Sequence, residues 1–102
     1  MSSLIPSGTF VTYELTTGDI GANAVVDPIF LKNVNIHVYA ADVYYGSGIK
    51  VSTATQGSAT PTCAIIRANA VVWFDNCYIT SLFFKNYVNA TPGYVVVTGV
   101  VA

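Results

Sequence analysis

The groups able to do acid–base, nucleophilic or metal chemistry in this 102-residue chain are few: one histidine, His37, five carboxylates and two cysteines. A hydrolytic triad needs a base within hydrogen-bond reach of a nucleophile. His37 is the only imidazole, it falls on the polar side of an alternating run, and no G-x-S-x-G elbow accompanies it. Glycoside cleavage needs two carboxylates flanking one bond. Glu14, Asp19, Asp27, Asp42 and Asp75 are instead dispersed, mostly where turns begin or end, and Asp in such places satisfies backbone donors. Cys63 and Cys77 match no metal or redox spacing. With one His, two separated Cys and scattered acids, neither a zinc site nor an EF-hand loop assembles from local sequence. Gly46 and Gly48 form a Gly-x-Gly pair without the strand-to-helix context of a phosphate loop. Asn89, Ala90 and Thr91 match the glycosylation pattern, but Pro92 follows directly. The expectation is a protein that is not an enzyme and that carries no cofactor and no metal.

The elements that hold these residues are strands. Val, Ile, Thr, Tyr and Phe fill short runs punctuated by Gly, Pro, Asn and Asp. Thr9 to Leu15 alternates, and Thr16 to Gly21 reads as a turn. Ile29 to Ala40 alternates most clearly, with Val34, Ile36 and Val38 on one side and Asn35, His37 and Tyr39 on the other. Asp42 to Tyr45 and Ile49 to Thr53 flank Gly46, Ser47 and Gly48 as a hairpin or bulged strand. Ser52 to Thr62 has no apolar residue larger than alanine and reads as a solvated loop. Strands are then expected at Cys63 to Arg67, Ala70 to Asp75, Tyr78 to Asn86 and Tyr94 to Val101, with a turn at Asn76 and Cys77. Seven or eight short strands in one domain, residues 1–102, give an all-β class: an antiparallel β-sandwich or small barrel, with the jelly roll among its forms. Cys63 and Cys77 read as small core residues; a disulfide stays open if their strands form a hairpin.

Composition points to the surface. Charged residues are 9% of the chain and apolar ones 53%, against about 25% charged in an average soluble protein. Either neutral polar residues keep a monomer in solution, or a subunit hides much of its surface in an assembly, and the second reading is favoured. A net charge of −1 supplies no field for a polyanion, so nucleic acid is not an expected partner. A spanning helix needs about 20 nearly continuous apolar residues, and the runs Ala70 to Phe74 and Tyr94 to Val97 are stopped by Asp75 and Thr98. No membrane partner is expected. Met1 to Pro6 has no basic residue and does not resemble a secretory signal, which suits synthesis in the cytoplasm.

A sheet with one wet face should alternate apolar and polar residues. Three strands break that rule. Val71 and Trp73 oppose Ala70, Val72 and Phe74; Phe83 opposes Phe84; Val95 opposes Val96. The second face could be covered by a loop or the amino-terminal segment, or could meet another subunit. The latter is favoured, because aromatic area of this kind favours association. The candidate interface residues are Val71, Trp73, Phe83, Phe84, Tyr44 and Tyr45. Tyr39, Tyr44, Tyr45 and Trp73 would alternatively suit stacking on sugar rings.

From Val34 to Val101 the chain resembles small tailed-phage virion proteins, through Val43, Tyr44, Tyr45 and Gly46, then Ile49 to Thr53, Trp73 to Asn76 and Leu82 to Asn86. The resemblance implies an auxiliary capsid protein of the decoration or cement kind, commonly a homotrimer, seated on the major capsid protein in the virion after synthesis in the host cytoplasm. A tail or fibre component is nearly as compatible, and a glycan-binding module is the alternative of another class. Residues 1–28 lie outside the resemblance, and residues 1–8 are expected to form an arm that reaches a neighbour's sheet edge.

Overall fold

A computed structural model of the chain describes residues 9–24, 30–78 and 82–101. The expected arm at residues 1–8 and the carboxylate of Asp27 lie outside them. The strands are β1 (Phe10–Thr16), β2 (Ala22–Asn23), β3 (Phe30–Tyr39), β4 (Val43–Ser47), β5 (Ala64–Ile66), β6 (Val71–Tyr78), β7 (Leu82–Asn86) and β8 (Tyr94–Val101), with one helix, α1 (Gly48–Ser52), after β4.

They form two antiparallel sheets, in the orders β1-β8-β3-β6 and β2-β7-β4-β5. β1 pairs β8, β2 pairs β7, β3 pairs β6 and β4 pairs β5, as though one long hairpin had been rolled up. The pairs β3–β8 and β4–β7 then close each sheet. This is the strand order of the eight-stranded jelly roll. The all-β sandwich expected from the strand pattern is the architecture observed.

Alternation puts one set of side chains between the sheets. Leu31, Val34, Ile36 and Val38 of β3 meet Val95 and Val97 of β8, and across the sandwich Val43, Ile66 and Phe84. Val11, Tyr13, Leu15, Val72 and Phe74 close this core from the flanking strands. Leu31 and Val34 are three apart yet both point inward. β3 carries an extra residue against β8 between Lys32 and Asn35, and Asn33 takes a φ of 50° there, a conformation Asn tolerates better than most residues.

A second cluster, Tyr44, Val51 and Ala54 with Cys63, Ile65, Phe83 and Tyr87 against it, lies on the outer side of the β2-β7-β4-β5 sheet. It is covered by residues 48–63, the connection from β4 to β5. Three expectations change here. Ile49 to Thr53 is helical rather than a strand: the turn drives Val51 into the second cluster, and Lys85 Nζ donates to the carbonyls of Ser52 at 3.0 Å and Ala54 at 2.8 Å, where the helix has run out of its own donors. Ser52 to Thr62 is not merely a solvated loop, because its backbone accepts from Tyr44 Oη at Thr55 and from Tyr87 Oη at Ser58. Asn76 and Cys77 are not a turn, since β6 continues through them in register with Lys32 and Leu31. β2, two residues long, carries no alternation from which to be read.

Cys63 donates its thiol to the carbonyl of Lys50 at 3.1 Å and is a free cysteine. It precedes β5, whereas Cys77 lies in β6 of the other sheet, so the hairpin that would have faced them does not form.

Phe84 is fully buried and shared between the sheets, so Phe84→Ala should cost about 3–5 kcal/mol, measured as the change in urea-unfolding free energy. Phe83→Ala, at a half-buried position of the outer cluster, should cost less.

Candidate functional site

The two outer sheet faces are built differently. Residues 48–63 cover one; the other, on the β1-β8-β3-β6 sheet, carries side chains in open rows. Register places Thr12, Thr98, Asn35 and Trp73 side by side across the four strands. The next row is Glu14, Val96, His37 and Val71, and the third is Thr16, Tyr94 and Tyr39. Glu14 is the only carboxylate in these rows and no Lys or Arg joins them. Trp73 is 70% exposed, an unusual fraction for the largest apolar side chain, and Tyr39 is 41% exposed.

Its aromatic rings touch. The His37 and Tyr39 centroids are 5.0 Å apart and those of Tyr39 and Tyr94 are 6.2 Å apart. A hydrogen bond to Glu14 holds the Tyr94 phenol above its ordinary range, with burial and the Glu14 charge acting the same way. The surface is therefore apolar and aromatic, edged by neutral donors and acceptors. Such a patch can exclude water against another apolar surface and pin its orientation through a few polar groups.

Of the residues expected at an interface, Val71 and Trp73 lie on this face, Val71 half-buried and Trp73 exposed. The other four belong to the interior. Phe84 and Tyr44 are fully buried. Tyr45 packs on the main core, its ring 6.4 Å from that of Phe74, and Phe83 joins Tyr44 beneath residues 48–63. The second apolar face of β7 is thus covered by the chain itself. Tyr39, Tyr94, Val96 and His37 complete the surface. The alternation of β3 and β8 marks which way each points, but only the insertion of β8 between β1 and β3 makes them neighbours.

Two carboxylates, Asp19 and Asp42, are held by hydrogen-bond donors. Asp19 Oδ1 accepts from Gln56 Nε2 at 2.9 Å, Asn86 Nδ2 at 3.0 Å and the backbone N–H of Ala90 at 3.0 Å. These bonds, the Gln56 one foremost, hold its carboxyl below the ordinary Asp range. Beside it, Thr17 Oγ1 donates to Asn86 Oδ1 and accepts from the backbone N–H of Gly93. Asp42 accepts from the Ala68 backbone and from Arg67 Nη1 at 2.9 Å, which lowers it likewise. Among the described residues there is no ligand-sized cavity, no group of three metal-ligating side chains, and no helix long and apolar enough to cross a membrane.

No protein-family model matches the chain, and no curated protein or solved structure matches it significantly.

Asp19 joins the β1–β2 turn, the 48–63 segment and the β7–β8 turn, so Asp19→Asn should lower the melting temperature at pH 7. Because its native pKa is depressed, the stabilisation is complete above the unfolded Asp value of about 3.9 and is lost as pH falls through the lower native value. Thermal melts of the two proteins should therefore converge in acid.

Proposed function

We propose that the protein is a non-enzymatic structural subunit of a virion, of the capsid decoration or cement kind, which self-associates and packs on other virion protein. The observation that carries this reading is the contrast between the two outer faces. Sixteen residues, 48–63, cover one sheet, whereas among the described residues no such segment covers the other, where Trp73 is 70% exposed on an edge strand. A solvated face normally has many charged side chains, and this one has Glu14 alone in the three rows described, with Asp75 beyond them on β6. Burying such a face contributes about 25 cal/mol per Å² of apolar area. The jelly roll is used by viral capsid and lectin domains alike, so the architecture agrees with this role without deciding it.

A second reading, binding of neutral glycans, is favoured by one feature: the row Thr12, Thr98 and Asn35 supplies neutral donors and acceptors that end on the exposed indole of Trp73. Glycan-array binding that is lost on Trp73→Ala would favour this reading over the first.

Light scattering at micromolar concentration should give a multimer; a strict monomer would overturn self-association. Cosedimentation with particles of the virus encoding the chain should be saturable. Val96→Lys, which sets a cation in the centre of the face, should weaken it at least about tenfold, since a buried unpaired charge is strongly unfavourable.

A further inference from the structure

The geometry points to β6 as a pairing edge that joins two copies of this chain through an antiparallel β6–β6 contact, with Trp73 on the two-fold axis. This inference rests on the self-association reading and names its contact.

The argument begins with edges. In the β2-β7-β4-β5 sheet the outer strands have two and three residues, too short to template another strand. In the β1-β8-β3-β6 sheet they have seven and eight. Natural edge strands of that length are protected by lysine, proline, a bulge or a covering loop. β6, reading VVWFDNCY, has neither lysine nor proline, and from Val71 to Phe74 it pairs residue for residue with β3; the ladder skips only Asn33 and Asp75, where Asn33 takes a φ of 50°.

The direction of its backbone groups follows from the ladder. Val38 N–H donates to the Ala70 carbonyl, and Val38 O accepts from Asn69. In an antiparallel pair such bonded residues alternate with non-bonded ones. Ile36–Val72 and Val34–Phe74 are then the bonded pairs, and the N–H and C=O groups of Val71 and Trp73 point away from β3 to the open edge. These two residues also carry their side chains on the outer face.

A second β6 laid antiparallel with Trp73 opposite its own copy lets the two Trp73 residues exchange both of their N–H···O bonds. Val71 then lies opposite Asp75 of the second copy at both ends. The two indoles become cross-strand neighbours, the arrangement in which aromatic pairs contribute most to a sheet. The two Asp75 carboxylates are kept apart, about 13 Å along the strand. β1, the other long edge, is less suited: its open-edge residues include Glu14 at mid-strand. The contact is isologous, the commonest symmetry of homo-oligomers, and gives a dimer in place of the threefold that the family resemblance implies.

The test uses the full chain. Trp73→Pro removes an N–H that points to the open edge, a place where proline is tolerated in an edge strand, and should weaken dimerisation about tenfold. Trp73→Lys, a surface change that sets two cations together at the axis, should do the same, and thermal melts establish that both variants fold. In a Cys63→Ser, Cys77→Ser background, Trp73→Cys should form an intermolecular disulfide under mild oxidation, because bonded antiparallel partners lie about 5.5 Å apart at Cα, within disulfide range. Thr12→Cys, on β1, should not. A trimer mass, association unchanged in folded Trp73→Pro, or crosslinking of Trp73→Cys to Thr12→Cys rather than to itself would overturn the β6 pairing while self-association stands. A strict monomer would overturn both.

Discussion

Lys85 lies in the outward-facing set of β7, beside Phe83, and is almost fully buried. An ammonium withdrawn from water must find acceptors. It finds them in the carbonyls of Ser52 and Ala54, so the cation fastens the β4–β5 connection across the sheet. Val51 and Ala54 then fill the space over Tyr44, whose hydroxyl reaches Thr55. Much of the molecule's asymmetry follows from this attachment. One sheet acquires a second apolar layer from its own chain; over the other, no described segment of comparable length lies.

The covered sheet also has the short outer strands, while the bare one has the long ones. Face and edge thus point the same way. The side that exposes Trp73 and Tyr39 is also the side with the long edge strands β1 and β6. Tyr94 is hydrogen-bonded to Glu14 and His37 packs on Tyr39, contacts that restrict these surface side chains.

The opposite logic governs the polar residues at the β1–β2 end. Asp19 and Thr17 spend their oxygens on Gln56, Asn86, Ala90 and Gly93. Gly93 has no room for more: a Cβ there would sit 2.6 Å from Val43 and 2.8 Å from the Ala41 carbonyl. Asp19 and Asp42, at turns, tie loops together as Asp residues at such positions are expected to, whereas Glu14 and Asp75 lie within strands.

Alternation in the sequence determined the class of fold and the inward set Val34, Ile36 and Val38, because a strand's side chains reverse at every residue whatever lies beyond it. It likewise determined that Val71 and Trp73 point together and that Phe83 opposes Phe84. What alternation does not contain is the identity of the layer each face meets. Tertiary structure decided that Phe83 and Tyr44 meet residues 48–63 while Trp73 meets solvent, and that Ile49 to Thr53 turns into a helix despite its strand-like residues. The reason is physical: helix, loop and partner surface all bury an apolar side chain equally well, and the choice among them rests on contacts such as Lys85 with Ser52 and Ala54, made between residues more than thirty positions apart.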